Sequence, residues 1–447
     1  MTLRFGTDGV RGVANAELTP ELVLALGRAA ARVLAGNRFL VGRDTRASGP
    51  LLQAALSAGL ATEGADVVDL GVLPTPGVAF LSAADGLPAA MISASHNPFG
   101  DNGVKFFSPG GRKLPDEIEA RLECELDRLL SETDVSPRRT GAAIGRLASG
   151  HEQGRHRYER ALVASLGGRR VEGLHVVLDC GHGAASEVAP AVLRSLGADV
   201  AVLNDAPDGV NINDGCGSTH PEGLQREVVA RGAALGLAFD GDADRVLAVD
   251  HTGALVDGDQ LIAVCALDRR DQGRLPGNTV VVTVMANLGF RQAMAAHGIA
   301  LVETDVGDRY VLEEMEKGGW ALGGEQSGHI IFGDLATTGD GVLTGLQVLD
   351  IMVRTGRPLA ELAGVMARLP QVLRNVPVGR KGMNGSDDVG MAVKAVQHDL
   401  GDRGRVLVRA SGTEPVVRVM VEAVTQAEAE AASEVLCEAV RRAAGAR

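Results

Sequence analysis

The run Ser93-Ala94-Ser95-His96-Asn97-Pro98, followed by Asp101-Asn102-Gly103-Val104-Lys105, concentrates a hydroxyl, an imidazole and an ammonium group within a short span. The apolar run Ala89–Ile92 predicts a strand that delivers Ser95 to a loop, and Asn-Pro bars an immediate helix. A serine displayed in this way can carry a phosphoryl group; the plain alternative is a polar turn with a satisfied histidine. The G-x-S-x-G frame of a hydrolase elbow is missing. A second stretch, Phe239-Asp240-Gly241-Asp242-Ala243-Asp244-Arg245, spaces three carboxylates at alternate positions. Alternate positions of an extended segment share a side, so Asp240, Asp242 and Asp244 can offer three hard oxygen donors to Mg²⁺. A calcium loop of the EF-hand type is excluded, because Arg245 stands where it needs glycine and His251 where it needs glutamate. Three aspartates after a buried strand cost free energy unless a cation compensates, which sets this reading against a solvated acidic turn.

Two further stretches suit neutral and anionic ligands. Gly323-Gly324-Glu325-Gln326-Ser327-Gly328-His329 brackets Glu325, Ser327 and His329 with glycines, a pattern for sugar hydroxyls or an amine, or else a hairpin turn. Arg409-Ala410-Ser411-Gly412-Thr413-Glu414-Pro415, with Arg418 beyond, can present successive N–H groups, two hydroxyls and forked guanidinium donors to a phosphate. The bland reading there is a strand-to-strand turn. Near the start, Arg11 lies in a Gly-rich loop, and Arg309 follows Asp305-Val306-Gly307-Asp308 as either a surface ion pair or a ligand contact.

The elements that must hold these groups repeat. Phe39–Asp44, His175–Asp179 and Thr279–Thr283 read as short buried strands, each followed by a loop, an Ala/Leu-rich helix and a second strand. Continuous β-branched runs joined by helices make βαβ units, and three copies predict three related α/β domains. Thr19-Pro20 and Pro115 open helices, and Thr425-x-x-Glu428 is a capping box for a last one. The strands Val406–Arg409 and Val416–Met420 set the tail apart. Domain boundaries near 150, 255 and 370 follow, giving 1–150 with the serine loop, 151–255 with the acidic loop, 256–370 with the glycine-flanked loop and 371–447 with the anion loop.

Composition limits the partners. The 447 residues suit two to four domains, and 45% apolar with 23% charged residues suits a globular chain with a large core. A net charge of −13 disfavours nucleic acid and anionic membrane as partners. Aromatics at 3% disfavour a stacking surface. No membrane-length apolar run or secretory layout is present, so a cytoplasmic location is expected. Five scattered cysteines without a C-x-x-C pair indicate neither a disulfide framework nor structural zinc.

The four sites fall one in each proposed domain, and together they resemble the α-D-phosphohexomutase superfamily over essentially the whole chain. Within it, Ser93-Ala94-Ser95-His96-Asn97-Pro98-Phe99, Asp101–Phe107, Cys216-Gly217-Ser218-Thr219-His220 and Gly324–Ile330 are similar to the bacterial glucosamine branch. The resemblance implies an α/β fold of four domains around a central cleft: three related α/β (βαβ, mixed-sheet) domains plus a smaller C-terminal α+β domain. It implies an isomerase that converts glucosamine 6-phosphate to glucosamine 1-phosphate on the route to UDP-N-acetylglucosamine, with glucosamine 1,6-bisphosphate as intermediate and activator. Ser95 then matches the phosphorylated serine; Ser95, Asp240, Asp242 and Asp244 match the ligands of one Mg²⁺ per chain. Arg11, Lys105 and Arg245 match basic residues near the transferring group, with Lys105 either proton carrier or electrostatic support. Glu325, Ser327 and His329 match the sugar loop, and Arg409, Ser411, Gly412, Thr413 and Arg418 the phosphate loop. The sugar must turn over within the cleft, which predicts hinge movement of the C-terminal domain. A hexosamine phosphate is the expected partner, without nucleic acid or membrane, and a homodimer is the one assembly considered. Charges beyond about 8–10 Å are screened at physiological salt, so the acidic body does not bar an anionic substrate. The rival readings are a phosphoglucomutase or phosphomannomutase of the same superfamily, a metal-dependent phosphatase, and a phosphosugar sensor without turnover.

Overall fold

The computed structural model describes residues 6, 9–34, 36–131, 139–378, 387–410 and 415–445. Ser411, Gly412 and Thr413 of the expected phosphate loop therefore lie outside the described residues. The chain divides into two compact units, residues 1–285 with 299–364, and residues 286–298 with 365–447.

The first unit contains three mixed sheets. In the first, the order is Val10–Val13, Asp101–Ser108, Ala89–Ile92, Arg38–Arg43, Asp66–Val72 and Leu147–Ser149, with Arg112–Lys113 paired beside Asp101–Ser108. Ala89–Ile92 runs parallel to Arg38–Arg43 and antiparallel to Asp101–Ser108. It is buried throughout, as an Ala-Ala-Met-Ile run between two strands requires. Helix Pro20–Val33 starts at Thr19, whose hydroxyl accepts from Leu22 N–H, with Pro20 in the first turn. Asp116–Leu130 follows Pro115, as the sequence predicts.

The second sheet runs Leu255–Val256, Val246–Asp250, Leu235–Phe239, His175–Asp179, Asp199–Leu203. Leu235–Phe239 and Val246–Asp250 are antiparallel neighbours, so the acidic stretch is the connection of a hairpin. In the third sheet, Ala300–Thr304, Thr279–Thr283, Leu322–Gly324 and Ile330–Phe332 lie side by side. Its last two strands also form a hairpin, joined through residues 325–329. Both expected sites thus sit on hairpin ends at sheet margins, where backbone groups are free to turn toward a ligand.

The second unit has a three-stranded antiparallel sheet, Gln371–Pro377, Val416–Glu422 and Arg405–Ala410. Helices Asp387–Leu400 and Gln426–Ala443 supply its aliphatic core with Val396, Leu436 and Val440 against Val417, Val419 and Val421. The capping box at Thr425 and Glu428 forms. Arg409 and Arg418 are directly opposite one another in the register, so their side chains share one face of this sheet. Among the described residues no helix is long and apolar enough to cross a membrane.

Candidate active site

Ser95 follows the buried strand Ala89–Ile92 and adopts a left-handed conformation with φ of 51°. This turns its side chain toward the acidic hairpin: Ser95 Oγ donates to Asp240 Oδ2 at 2.6 Å. The acidic stretch is a turn rather than the extended segment expected from its spacing, with Ala243 left-handed at φ 57°. The physical reason is distance. Alternate residues of a strand are about 7 Å apart, too far for three carboxylates to share one small cation, whereas the turn folds them together. One carboxylate oxygen from each of Asp240, Asp242 and Asp244 lies within 4.8 Å of the others.

Positive charge meets this triad from the first sheet. Lys105, opposite Met91 in the register, is buried and donates to Asp242 Oδ2 at 2.6 Å, with Asp244 Oδ2 at 3.7 Å. Thr75 opens the helix Thr75–Asp85 and grips Asp242 twice, through Oγ1 to Oδ2 at 2.6 Å and N–H to the backbone carbonyl at 2.9 Å. Arg245 holds Asp240 Oδ1 through its N–H at 3.2 Å, and its Nη1 lies 3.3 Å from His96 Nδ1. His96 Nδ1 is in turn 3.5 Å from Ser95 Oγ. Burial, Arg245 and Arg11 all lower the proton affinity of His96, so it is a neutral acceptor beside the serine. Arg11 sits opposite Gly103 in the strand that adjoins the one carrying Lys105.

The electrostatics separate the three carboxylates. Burial, Asp244 and Asp242 push Asp240 well above the usual carboxylate range. Burial opposes ionisation of Asp244 as well, but Lys105, His329 and Arg245 outweigh it and hold Asp244 well below that range. Asp242 is likewise lowered: Lys105 and Thr75 overcome burial and the Asp244 charge. Asp242 Oδ1 and Asp244 Oδ1 are buried with no hydrogen-bond partner among the described residues. Buried carboxylate oxygens of this kind are costly, and a purely oxygen donor set fits a hard divalent cation such as Mg²⁺.

The glycine-flanked hairpin end is tied by its backbone to the strand that leaves the acidic turn and to the start of helix Gly258–Asp271. Val246 N–H donates to Gly328 O at 3.1 Å, and Gly258 N–H to Gln326 O at 3.0 Å. Ser327 is exposed, and Glu325 is half-buried, its Oε1 accepting from Gly307 N–H at 3.2 Å. Burial raises the pKa of Glu325. His329 is buried on the triad side, with Nδ1 3.7 Å from Asp244 Oδ2 and Nε2 accepting from Gly339 N–H at 2.9 Å. Arg309 is an ion-pair residue: it holds Glu119 at 2.9 Å, Leu114 O at 3.1 Å and Asp116.

Ser95, Lys105, Arg245, the three aspartates and His329 are thus assembled in the first unit. Arg409 and Arg418 belong to the second. Sequence reasoning missed Thr75, Arg46 and Asn213, which brace this site. Their partners are tens to more than a hundred positions away in the chain. The one local signal is Asp44-x-Arg46 directly after a buried strand, an opposite-charge pair that a surface loop does not require.

Four family models match in sequence order, all described as phosphoglucomutase/phosphomannomutase: α/β/α domain I over residues 2–132, domain II over 156–253, domain III over 257–369, and the C-terminal domain over 354–439. A serine–carboxylate centre held between mixed α/β sheets, with these models matched in this order, defines the phosphohexomutase class of isomerase. A crystal structure of a phosphoglucomutase/phosphomannomutase family protein from Burkholderia thailandensis superimposes with a TM-score of 0.80 at 25% identity, covering 99% of this chain and 97% of that one. The phosphoglucosamine mutase of Symbiobacterium thermophilum is 55% identical over 451 residues, 99% of each chain. That of Moorella thermoacetica is 56% identical over 433 residues, 95% of this chain and 96% of its own. The chain belongs to the phosphoglucosamine mutase family.

Proposed function

We propose that this chain interconverts glucosamine 6-phosphate and glucosamine 1-phosphate through a phosphoserine at Ser95 and glucosamine 1,6-bisphosphate. The observation that carries the reading is the contact of Ser95 Oγ with Asp240, inside a buried carboxylate triad that Lys105 enters. Asp240, Asp242 and Asp244, with an oxygen at Ser95, would hold one Mg²⁺ per chain. Such an ion, when bound, offsets the negative charge on the transferring phosphoryl group.

The chain's own groups do the rest. The left-handed turn at Ser95 brings its oxygen to the acidic hairpin, where a phosphoryl group on it would lie beside the carboxylates. Lys105 supplies positive charge at Asp242 and Asp244, Arg245 beside Asp240 and His96, and Arg11 stands on the strand adjoining that of Lys105. This is the electrostatic preorganisation that phosphoryl transfer needs most. Lys105 already donates to Asp242 and faces Asp244, which favours electrostatic support over proton acceptance. Glu325 and Ser327 are suited to hold sugar hydroxyls, with His329 anchoring their loop against Asp244. Arg409 and Arg418, neighbours across two strands, are suited to hold the phosphate that is not reacting, together with Ser411, Gly412 and Thr413. The bisphosphate serves as intermediate and, when it dissociates, as the reagent that restores phosphoserine.

The family-model segments support domains 1–150, 151–255, 256–370 and 371–447, and the product would enter UDP-N-acetylglucosamine formation in the cytoplasm. A coupled isomerase assay with glucosamine 6-phosphate, Mg²⁺ and a trace of the bisphosphate tests the reading. Ser95→Ala should abolish turnover, and wild type should show a higher kcat/KM for glucosamine phosphate than for glucose or mannose phosphate. Equal rates for wild type and Ser95→Ala would remove the proposed carrier.

A further inference from the structure

Ser95 is held at both ends of its backbone by side chains that never reach its hydroxyl. Arg46, with no exposed surface, points its Nη2 at two carbonyls, Ser95 O at 2.9 Å and Asn97 O at 2.8 Å. Its Nη1 takes Asp101 O at 3.0 Å and also Pro98 O. From the second sheet's side, Asn213 Nδ2 donates to the same two carbonyls, Ser95 O at 2.9 Å and Asn97 O at 3.2 Å. The amide must face them with its NH₂ group, since its oxygen would oppose two other oxygens.

The other end of the residue is fixed through Asp44. This buried carboxylate accepts from Arg46 Nε at 2.8 Å and from Ser93 Oγ at 2.7 Å, and Ser93 Oγ accepts from Ser95 N–H at 2.9 Å. One ion pair therefore orders the acceptor for the Ser95 N–H and the donor for its carbonyl. The conformation that results is left-handed, which is unfavourable for a non-glycine residue and persists only where surroundings over-determine it.

We propose that Arg46 and Asn213 are positioning residues, a two-sided clamp on the Ser95 carbonyl that keeps the serine oxygen aimed at the acidic turn. The inference rests on Ser95 being the phosphoryl carrier. Arg46 comes from the segment after strand Arg38–Arg43, and Asn213 from the stretch before the acidic hairpin, so the clamp joins the nucleophile's loop to the part of the chain that carries the carboxylates. Without it, the turn can relax toward ordinary backbone angles and carry the oxygen away from Asp240.

The test uses full-length Asn213→Ala, Asn213→Asp and Arg46→Lys, each charged with glucosamine 1,6-bisphosphate and checked by mass for phosphate on Ser95. Single-turnover transfer from phosphoserine to glucosamine 6-phosphate is then timed, with thermal melts alongside. The rate constant per phosphorylated chain does not depend on how much protein is folded, so a merely structural role would leave it unchanged. The clamp predicts a fall of about 10- to 100-fold, since misplacement by about 1 Å costs on that order. KM should move less than about threefold, and Asn213→Asp should be slower than Asn213→Ala, because a carboxylate would face two carbonyls. Wild-type single-turnover rates with only a lowered Tm would overturn the clamp. If Arg46→Lys does not fold, the Asn213 pair decides. Ser95→Ala, run in parallel, separates the two ideas: turnover in that variant would sink the phosphoserine itself, whereas an inactive Ser95→Ala beside fully active Asn213 variants would sink only the clamp.

Discussion

Gly241 lies between two of the carboxylates, and its α-carbon faces the Ser95 loop. A methyl group there would stand 2.6 Å from Ser95 O, 2.8 Å from Ile212 Cδ1 and 2.9 Å from Asn213 Nδ2. Two of these cannot yield cheaply: Ser95 O is backbone, and the Asn213 amide is bonded to it. The absent side chain is what lets the acidic turn and the serine turn touch. Gly241→Ala should therefore lower kcat by about 100-fold through separation of Ser95 from Asp240, with about 1–3 kcal/mol of lost stability from overpacking. Gly223 is the control, because it sits in helix Glu222–Arg231 with nothing within 4 Å of a would-be Cβ. Gly223→Ala should keep wild-type kcat and gain up to about 1 kcal/mol from helix propensity. Coupled assays and denaturant unfolding of the two variants read both quantities, and a fully active Gly241→Ala would show that the two turns need not be in contact.

Helix Gly341–Thr355 begins at Asp340, whose carboxylate accepts from Leu343 N–H at 2.9 Å and from the Tyr158 hydroxyl at 2.7 Å. Burial pushes its pKa from 3.8 up to about 6 in spite of both bonds. The folded chain thus keeps this proton over a range where the unfolded chain has lost it. Stability contributed by the protonated group is full below the unfolded value of 3.8, falls as pH rises toward about 6, and is gone above that. Asp340→Asn retains a capping oxygen and removes the titration, so its stability relative to wild type should climb between pH 4 and 6 and then level, by on the order of 3 kcal/mol. Thermal melts across that range check this, and a constant difference between the two proteins would contradict it. Caps of this kind differ in how far sequence reveals them. Thr19-Pro20 and Thr425-x-x-Glu428 were legible because every bond they make is local, and the three βαβ units because Val-rich runs such as Thr279–Thr283 have few other uses. The positions of Ser95 and the aspartates along the chain were legible for the same reason. The shape of the acidic turn was not, since left-handed Ala243 has no signature in residue type. Nor were Thr75 and Asn213, whose partners are set by how two sheets meet, nor the bonds of Arg46 beyond its neighbour Asp44, which reach carbonyls 49 to 55 positions on.

At the level of the whole molecule, three buried carboxylates in a chain of net charge −13 form a local debt that the fold settles only in part. Lys105 and Thr75 hold Asp242, and Lys105, His329 and Arg245 act on Asp244, while Asp240 is left with its pKa driven up by burial and its two neighbours. A divalent cation bound to the folded chain and not to the unfolded one adds stability in proportion to the logarithm of its excess over Kd, about 2.7 kcal/mol at a hundredfold excess. Mg²⁺ should therefore raise the Tm of wild type by a few degrees, and a chelator should reverse the shift and abolish isomerase activity together. Because the triad lies in the unit formed by residues 1–285 with 299–364, the shift should appear in that unit's transition where calorimetry resolves two. Asp240→Asn sharpens the test, for it removes the carboxylate whose ionisation burial and its neighbours most oppose. Its metal-free Tm should equal or exceed that of metal-free wild type, and it should no longer respond to Mg²⁺. A variant that is destabilised without metal yet still shifts with Mg²⁺ would mean that the aspartates brace the hairpin and the cation binds elsewhere.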